Sequence, residues 1–232
     1  MDGTRIILDA GTGIRNIPEA VLREPELSLL MTHVHLDHLI GLPMFPYLFR
    51  DEARLSVYVD GNGGSDLEER MTRLFSPPYW PFALRDVPAN VTFVPMKDAM
   101  RIRNIRVDRM RGHHPDGVSI FRLTGRKHTV MFATDCTITE DNRQDLIQFA
   151  RDCDLLLIDG QYSEEEWDAR QTYGHNPWTE AARLGAEAGA KRIRIIHHDP
   201  QHTDAVLSSV EASARALWPS CLFAKEGEVI FL

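Results

Sequence analysis

The sequence predicts an α/β fold, and two observations carry this prediction. Short apolar runs typical of strands alternate loosely with helical segments through the second half of the chain, which indicates α/β or α+β architecture. Nine of the ten histidines lie in four clusters, and each cluster comes at or just beyond the carboxyl end of a strand-like run. Polar side chains gathered at strand ends predict a site along one edge of a sheet sandwich.

Length and composition fit one globular domain. The chain has 232 residues with 43% hydrophobic content, which is enough for a substantial core. Its formal net charge of -8 repels polyanions on average, so we expect no long nucleic acid as a partner. A small phosphate ester bound at a local metal site is compatible with this charge.

Cysteine usage and hydropathy predict a cytoplasmic protein. Cys136, Cys153 and Cys221 are odd in number and far apart, and no Cys-x-x-Cys pattern occurs. This usage suits a reducing compartment. The sequence has no apolar stretch near 18 residues and no signal-peptide pattern, so we expect no membrane association.

The periodicity of apolar residues and the turn residues predict the order of elements. Predicted strands span residues 4–9, 27–31, 55–59, 91–94, 102–110, 118–123, 129–133, 154–159, 192–196 and 228–232. Predicted helices span residues 45–49, 66–74, 141–151, 163–173 and 204–217, and a further helix, capped by Asn176 and opened by Pro177, runs through residue 189.

A long connection at residues 61–90 is predicted to be a lid or cap insertion in a single domain of residues 1–232. Its glycine-rich turn and repeated prolines are more typical of a functional lid than of an idle loop. Tyr79, Trp80 and Phe82 are candidates to stack on a base or an aromatic leaving group. Packing of the lid onto the domain, or a homodimer contact, explains these aromatic residues equally well.

The segment from His33 to His38 carries the strongest functional signal. His33, His35 and His38 fall with Asp37 within six positions, directly after the apolar run at residues 27–31. Side chains at positions i and i+2 of a strand share a face, so His33 and His35 are expected to reach one ion, with Asp37 and His38 beside them. Two pairs of ligands suggest two ions. A polar loop with histidines satisfied by the backbone is the alternative.

This motif resembles the signature of the metallo-β-lactamase superfamily of metal-dependent hydrolases, and other segments resemble its phosphodiesterase branch, which includes ribonuclease Z. The resemblance implies an αββα sandwich of two mixed sheets with a two-metal site along one edge. It also implies one or two strands ahead of Ile6, which we expect either to be missing from this protein or to have been lost by truncation. Asp9 resembles the residue that supports the metal loop from behind, although a simple Asx turn explains it about as well.

The remaining ligands are chosen among neighbouring histidines. The resemblance favours His114 over His113 and identifies Asp135 as the bridging aspartate. Alternation along residues 192–196 points His197 inward and His198 outward. The predicted set places His33, His35 and His114 on one ion and Asp37, His38 and His197 on the other, with Asp135 between them. These nitrogen and oxygen ligands suit two Zn²⁺ ions, with manganese or iron as alternatives.

The sequence also suggests roles for Cys136 and for a general acid. Cys136 stands where the family usually has Thr, and we expect a small buried side chain rather than a ligand. The resemblance makes His175 the general acid, although Asn176 replaces the Ser of the related motif. Asp159 is expected to orient His175, and Asp37 is assigned a catalytic as well as a metal-binding role. A turn histidine is the alternative for His175.

The predicted function is cleavage of a phosphodiester bond in a small substrate, such as a cyclic nucleotide, by a hydroxide held between two metal ions. Only 20 residues separate His114 from Asp135, which leaves no room for the tRNA-gripping arm that the resemblance places there. Hydrolysis of an ester, lactone or β-lactam is the alternative. We expect tRNA 3′-processing or a non-catalytic sensor less than either of these reactions.

Residues 101–127 carry a local excess of six positive charges, which either steers phosphate toward the site or forms a solvated hairpin face.

Overall fold

The computed structural model describes residues 3–60 and 64–232, which form two compact units. The N-terminal unit is Gly3–Lys97 and the C-terminal unit is Asp98–Leu232. Each unit has one β-sheet and a hydrophobic core of its own. The predicted α/β class is confirmed, whereas the single domain with a lid at residues 61–90 stays a prediction.

The sheet of the N-terminal unit has four strands in the order β1-β2-β3-β4. They are β1 (Ile6–Leu8), β2 (Glu26–Leu30), β3 (Arg54–Val59) and β4 (Asn90–Pro95). We expected a mixed sheet, but all three pairings are parallel. Parallel neighbours require crossover connections. These connections contain the helices α1 (Glu19–Leu22), α2 (Leu36–Leu39) and α3 (Gly64–Leu74).

The core of the N-terminal unit follows from strand alternation. On β3, Leu55, Val57 and Val59 are buried while the residues between them are partly exposed. A helix was predicted at residues 45–49, but the chain instead forms two 3₁₀ turns, Leu42–Met44 and Pro46–Phe49. A proline lies near the start of each turn and has no backbone N–H to donate to the residues before it. A continuous α-helix therefore does not form.

The sheet of the C-terminal unit has seven strands in the order β11-β10-β9-β8-β7-β6-β5. They are β5 (Ala99–Ile102), β6 (Ile105–Gly112), β7 (Val118–Thr124), β8 (Thr129–Ala133), β9 (Leu155–Asp159), β10 (Ile193–Ile196) and β11 (Cys221–Phe223). This sheet is mixed, as predicted. The pairings from β5 to β8 are antiparallel and those from β8 to β11 are parallel.

The helices of the C-terminal unit begin at hydroxyl caps or at proline. They are α4 (Glu140–Ala150), α5 (Glu164–Trp167), α6 (Trp178–Glu187) and α7 (Asp204–Leu217). Thr139, Ser163 and Thr203 each accept a hydrogen bond from a backbone N–H of the first turn of α4, α5 and α7. Among the helices in the described residues, none is long and apolar enough to cross a membrane.

Besides the helix at residues 45–49, three predicted elements are corrected by the structure. The strand predicted at residues 102–110 is two strands, because the chain reverses at Arg103, whose φ of 49° lies in the left-handed region. The helix predicted at residues 163–173 is only α5 followed by the 3₁₀ turn Gln171–Tyr173. The strand predicted at residues 228–232 is absent from the described sheets. The apolar β11 pairs with β10 instead, while Phe231 is 84% exposed.

The turns that precede and follow the segment from His33 to His38 are packed backbone to backbone. The N–H of Gly41 donates to the carbonyl of Ala10, and a Cβ at Gly41 would lie 2.0 Å from the carbonyl oxygen of Gly11. Gly41→Ala should therefore lower the free energy of unfolding by at least about 1–3 kcal/mol, measured by urea denaturation. Gly13→Ala is the matched control because a Cβ there meets nothing within 4 Å. Equal stability of the two variants would contradict this packing.

Candidate metal centre

In the N-terminal unit, the candidate ligands follow the carboxyl ends of neighbouring parallel strands. Leu8 of β1 pairs with Leu30 of β2, so Asp9 lies next to the start of the segment that contains Thr32 and His33. The N–H of Asp9 donates to the carbonyl of Leu30 at 2.9 Å. Asp9 has a φ of 57°, a conformation that non-glycine residues rarely adopt and that is often found at functional sites.

Asp9 holds the segment from Thr32 to His38 through three hydrogen bonds. Its Oδ1 accepts the N–H of Thr32 at 2.7 Å, and its Oδ2 accepts the Thr32 hydroxyl at 2.8 Å. The Oδ2 atom also lies 2.8 Å from Nδ1 of His38. Burial raises the pKa of the Asp9 carboxyl, while the hydrogen bonds from His38 and Thr32 act to lower it. Asp9 therefore supports this segment across 23 positions of sequence rather than forming a local Asx turn.

The contact with Asp9 also decides which nitrogen of His38 is available to a metal. A ligating histidine commonly donates its other ring N–H to a carboxylate, which fixes the tautomer and the ring orientation. Because Nδ1 of His38 faces Asp9, an ion would be bound through Nε2. The Nε2 atom lies 3.3 Å from Oδ2 of Asp37, whose side chain is 62% exposed.

The four motif residues come together, but not through the strand alternation that we predicted. β2 ends at Leu30, and His33 and His35 lie in the extended segment before α2. The ring centroids of His33 and His35 are 4.5 Å apart, and those of His33 and His38 are 4.3 Å apart. The turn of α2 brings His38 back toward His33, which a strand could not do.

In the C-terminal unit, the candidate groups again follow parallel strands. Asp135 follows β8, Asp159 ends β9 and His197 follows β10. Asp135 and His197 have φ values of 52° and 61°, both in the left-handed region. The prediction of His197 from strand alternation therefore used the wrong reason, because the regular strand ends at Ile196. The reversal nevertheless places Nε2 of His197 3.3 Å from Oδ1 of Asp135.

The neighbouring histidines are separated clearly. His114 is buried, with Nδ1 3.2 Å from the carbonyl oxygen of Gly174 and Nε2 3.9 Å from Oδ2 of Asp135. His113 is exposed. The ring of His198 stacks on Phe223 at 5.2 Å, and burial lowers the pKa of this histidine. The geometry thus places His114 beside Asp135 and His113 on the surface of the unit.

Asp159 is fully buried and lies at the centre of this group. Its Oδ2 is 2.8 Å from Nδ1 of His175, 3.7 Å from Nδ1 of His197 and 3.3 Å from the backbone nitrogen of Asp135. The rings of His175 and His197 stack with centroids 4.9 Å apart. Ligand atoms of Asp135, Asp159, His175 and His197 all lie within 4.8 Å of one another. The predicted contact between Asp159 and His175 is therefore present in the structure.

The donor chemistry of these residues fits divalent metal ions. In a tetrahedral site with zinc–ligand bonds of 2.0–2.1 Å, ligand atoms lie about 3.3 Å apart. The distance between His197 and Asp135 matches this value at 3.3 Å. Cys136 is buried beside Asp135, and burial raises the pKa of its thiol to about 12. This thiol is protonated at neutral pH, which fits the prediction of a small buried side chain.

Sequence reasoning missed the roles of Thr32, Trp167 and Asn176. The Nε1 of Trp167 donates to the carbonyl of His175 at 3.1 Å, which fixes the backbone of that residue. Asn176 was predicted as a helix cap, but Pro177 occupies the cap position and the Asn176 side chain turns inward. The two adjacent polar residues His175 and Asn176, which are both buried, rather than the helix pattern, were the available signal.

The segment predicted as a lid is only partly described, because residues 61–63 lie outside the described residues. Its helix α3 connects β3 to β4, and Met71, Phe75 and Leu84 are buried in the core of the N-terminal unit. Trp80 and Phe82 form an edge-to-face contact at 6.1 Å, while Tyr79 is 78% exposed. A role of this segment in covering the site, or in a homodimer contact, stays a prediction.

The positive residues of segment 101–127 lie mainly at the opposite end of the seven-stranded sheet from Asp135. Arg101 pairs with Arg106 near the hairpin, and Arg106 is opposite Thr124 at the end of β7. Arg106 also forms an ion pair with Asp108 at 2.8 Å. This placement favours the solvated hairpin face over the steering of phosphate.

Comparison with known proteins identifies the family and its relatives. The model described as "Beta-lactamase superfamily domain" matches residues 4–198. Ribonuclease Z from Metallosphaera sedula is 26% identical over an alignment of 257 positions. This alignment covers 94% of this chain and 86% of that protein. Ribonuclease Z from Gemmatimonas aurantiaca is 31% identical over 97 residues, and this match spans 41% of this chain and 31% of that protein.

Two solved structures have similar folds. A diphosphatase from the PhnP family has a TM-score of 0.71 at 17% identity, covering 100% of this chain and 82% of that one. The short form of human tRNase Z has a TM-score of 0.71 at 16% identity, covering 100% of this chain and 89% of that one. These likenesses confirm the predicted metallo-β-lactamase-type fold with two sheets.

The hydrogen bonds of Asp9 generate a prediction about metal affinity. Asp9→Asn should weaken zinc binding by about 10- to 100-fold, because the amide nitrogen that replaces one carboxylate oxygen is a donor and accepts from neither Thr32 nor His38. Competition with a chromophoric chelator measures this change. Asp98→Asn is the matched control, because Asp98 is 84% exposed and forms a surface ion pair with Arg109. Wild-type zinc affinity in Asp9→Asn would show that Asp9 does not support the ligands.

Proposed function

This chain belongs to the beta-lactamase superfamily and is a metal-dependent hydrolase, and we propose that it cleaves a phosphodiester bond in a small substrate. One observation carries the choice of reaction. The buried Asp159 lies 2.8 Å from His175, whose ring stacks on His197 in the group around Asp135. Such a carboxylate-held histidine suits proton donation to a departing alkoxide.

The proposed metal centre has two ions, preferably zinc, with manganese or iron as alternatives. His33, His35 and His114 are assigned to one ion and Asp37, His38 and His197 to the other, with Asp135 shared. This assignment is supported by family membership and by the imidazole and carboxylate chemistry of both strand-end groups. When bound, two such ions supply an activated water and neutralise charge on the phosphoryl oxygens. Asp37, at 62% exposure, is the assigned ligand most accessible to substrate.

The proposed role of His175 is to deliver a proton from Nε2 to the leaving oxygen. Asp159 accepts the hydrogen bond from Nδ1–H, so the ring keeps that proton and presents Nε2 on its other side. After transfer, the imidazole is neutral and still bound to Asp159, while the alkoxide has become an alcohol. Asp159 is a positioning residue here, since its carboxylate contacts His175 and His197.

Hydrolysis of an ester, lactone or β-lactam is the alternative within the same superfamily. Those reactions do not require the contact between Asp159 and His175, because their leaving groups depart more readily or stay attached to the product. A metal-bound sensor without turnover is disfavoured by the completeness of the assigned ligand set.

The second candidate is tRNA 3′-end processing. The names of the curated relatives, ribonuclease Z, favour it. Against it, β7 and β8 are joined by a tight turn at residues 125–128, in which the N–H of Gly125 donates to the carbonyl of His128. This is the region where the resemblance to ribonuclease Z implies an inserted tRNA-gripping arm. The net charge of -8 also disfavours long nucleic acid.

A cytoplasmic location is part of the proposal. Cys136, Cys153 and Cys221 are all free and buried. Burial raises the pKa of the Cys153 thiol to about 11 and that of the Cys221 thiol to about 12. Three separated, protonated thiols suit a reducing compartment.

The role of His175 predicts a dependence on the leaving group. His175→Ala should lower kcat on an alkyl phosphodiester by about 10²- to 10⁴-fold, because the alkoxide needs a proton to depart. The loss on a nitrophenyl phosphodiester should be far smaller, since nitrophenolate leaves without help. Steady-state kinetics on both substrates, with metal content measured by elemental analysis, tests this expectation.

The control for His175 is His113→Ala, which removes an exposed imidazole from the same unit. This variant should keep both activities and the metal content. Equal losses on the two substrates in His175→Ala, with metal retained, would show that His175 positions substrate or supports the fold.

The choice between the two candidate functions predicts a substrate preference. Purified wild-type protein with bound metal should have a higher kcat/KM for cyclic nucleotides or other small phosphodiesters than for precursor tRNA. Parallel assays at the same ionic strength compare the two, because charge effects depend on salt. Specific cleavage of precursor tRNA at its 3′ end, with no turnover of small phosphodiesters, would establish the second candidate instead.

A further inference from the structure

Asn176 follows His175 in the chain and is almost fully buried, with 1% of its surface exposed. Its Oδ1 accepts the N–H of Ile138 at 2.7 Å, and its Nδ2 donates to the carbonyl oxygens of Cys136 at 2.6 Å and Asp159 at 3.3 Å. One donor and two acceptors surround the carboxamide, so only one orientation of the group satisfies all three contacts. The side chain is therefore locked in place.

These contacts join the segments that carry the candidate catalytic groups. Residues 136–138 form the turn directly after Asp135, and Asp159 ends β9. The backbone N–H of Asn176 also donates to Oδ1 of Asp159 at 3.1 Å. One residue thus connects the turn of Asp135, both the main chain and the carboxylate of Asp159, and the segment of His175.

The chemistry of the carboxamide matters for this connection. A serine, which the related motif has at this position, offers one hydroxyl proton and ends one bond closer to the backbone. It cannot donate to two carbonyl groups and accept the N–H of Ile138 at the same time. Asn176 therefore makes contacts that a serine at this position could not make.

We propose that Asn176 is a positioning residue that holds Asp135, Asp159 and His175 in register. The left-handed backbone of Asp135 is unfavourable by itself and persists only where its surroundings fix it. The N–H of Asp135 is 3.3 Å from Asp159, and the carbonyl of the next residue is held by Asn176. The effect on catalysis rests on the proposed function, whereas the effect on metal binding does not depend on the substrate.

Asn142, in the first turn of α4, provides a matched control because it contacts the same segment after Asp135. Its Oδ1 accepts the N–H of Thr139 at 2.9 Å, and its Nδ2 donates to the carbonyl of Thr137 at 2.8 Å. It caps α4 but has no hydrogen bond to Asp159 or to the segment of His175 among those of the described residues. Asn142→Asp and Asn176→Asp make the same chemical change, in which an oxygen replaces the nitrogen that donates to a carbonyl group.

The experiment compares Asn176→Asp, Asn176→Ser and Asn142→Asp with wild type. We expect both Asn176 variants to weaken zinc binding about 10- to 100-fold in chelator competition. We expect kcat on an alkyl phosphodiester to fall by a similar factor and KM to change little. Asn142→Asp should lower Tm while its zinc affinity and kcat per metal-loaded site stay at wild-type values.

The outcomes separate positioning from a merely structural role. Lower Tm in all variants, with wild-type zinc affinity and kcat per metal-loaded site throughout, overturns the proposal. If Asn176→Asp does not fold, Asn176→Ser is judged by the same two measurements. Hydrogen exchange of metal-free wild type supplies a test without substitution, because the amide of Ile138 should be strongly protected and fast exchange would contradict its bond to Asn176.

The result also distinguishes this inference from the proposed function. If wild type hydrolyses no phosphodiester while zinc affinity still falls in the Asn176 variants, the proposed reaction is wrong and the positioning role stands. If wild type hydrolyses phosphodiesters but the Asn176 variants keep both zinc affinity and kcat, the positioning role is wrong and the proposed reaction stands.

Discussion

Two buried carboxylates, Asp9 and Asp159, are the constraint on which both strand-end groups depend. A carboxylate in a protein interior is costly unless hydrogen bonds and charge partners replace its water. Asp9 meets this requirement with the N–H and hydroxyl of Thr32 and with the imidazole of His38. Asp159 meets it with the imidazole of His175 and with backbone N–H groups, one of them from Asn176. Two of these partners, His38 and His175, are the groups to which we assign metal binding and proton transfer. Under the proposed function, stability and catalysis therefore depend on the same atoms.

Parallel strands explain why the arrangement occurs in both units. The carboxyl ends of neighbouring parallel strands lie at one edge of a sheet, where loops bring polar side chains together. β1 and β2 place Asp9 beside the segment from Thr32 to His38, while β8, β9 and β10 place Asp135, Asp159 and His197 beside one another. The left-handed residues Asp9, Asp135 and His197 turn the chain sharply at these ends. A left-handed backbone is energetically unfavourable for residues other than glycine. Here it occurs where the chain turns at the end of a strand and directs a side chain toward that edge of the sheet.

Sequence pattern predicted the class of fold correctly, because apolar periodicity marks strands. It also predicted that the side chains from His33 to His38 lie close together, which the structure shows. Their role as metal ligands stays a prediction. Pattern failed where long-range contacts decide. Asn176 was predicted as a helix cap from its neighbour Pro177, but bonds to residues up to 40 positions away turn its side chain inward. The alternation from which His197 was chosen does not extend to that residue, because its left-handed backbone follows the end of β10. The role of His197 as a ligand stays a prediction. The sequence also did not indicate that the positive charges near residue 101 lie at the end of the sheet opposite Asp135.

The central claim is a centre of two metal ions with Asp135 as the shared ligand. Crystals of zinc-loaded protein, with diffraction data collected on both sides of the zinc absorption edge, test it most directly. The account predicts two anomalous peaks per chain, each with an oxygen of Asp135 within about 2.0–2.2 Å, and with His114 and His197 among the ligands. A single peak, or coordination by His113 or His198 in place of those neighbours, would contradict it.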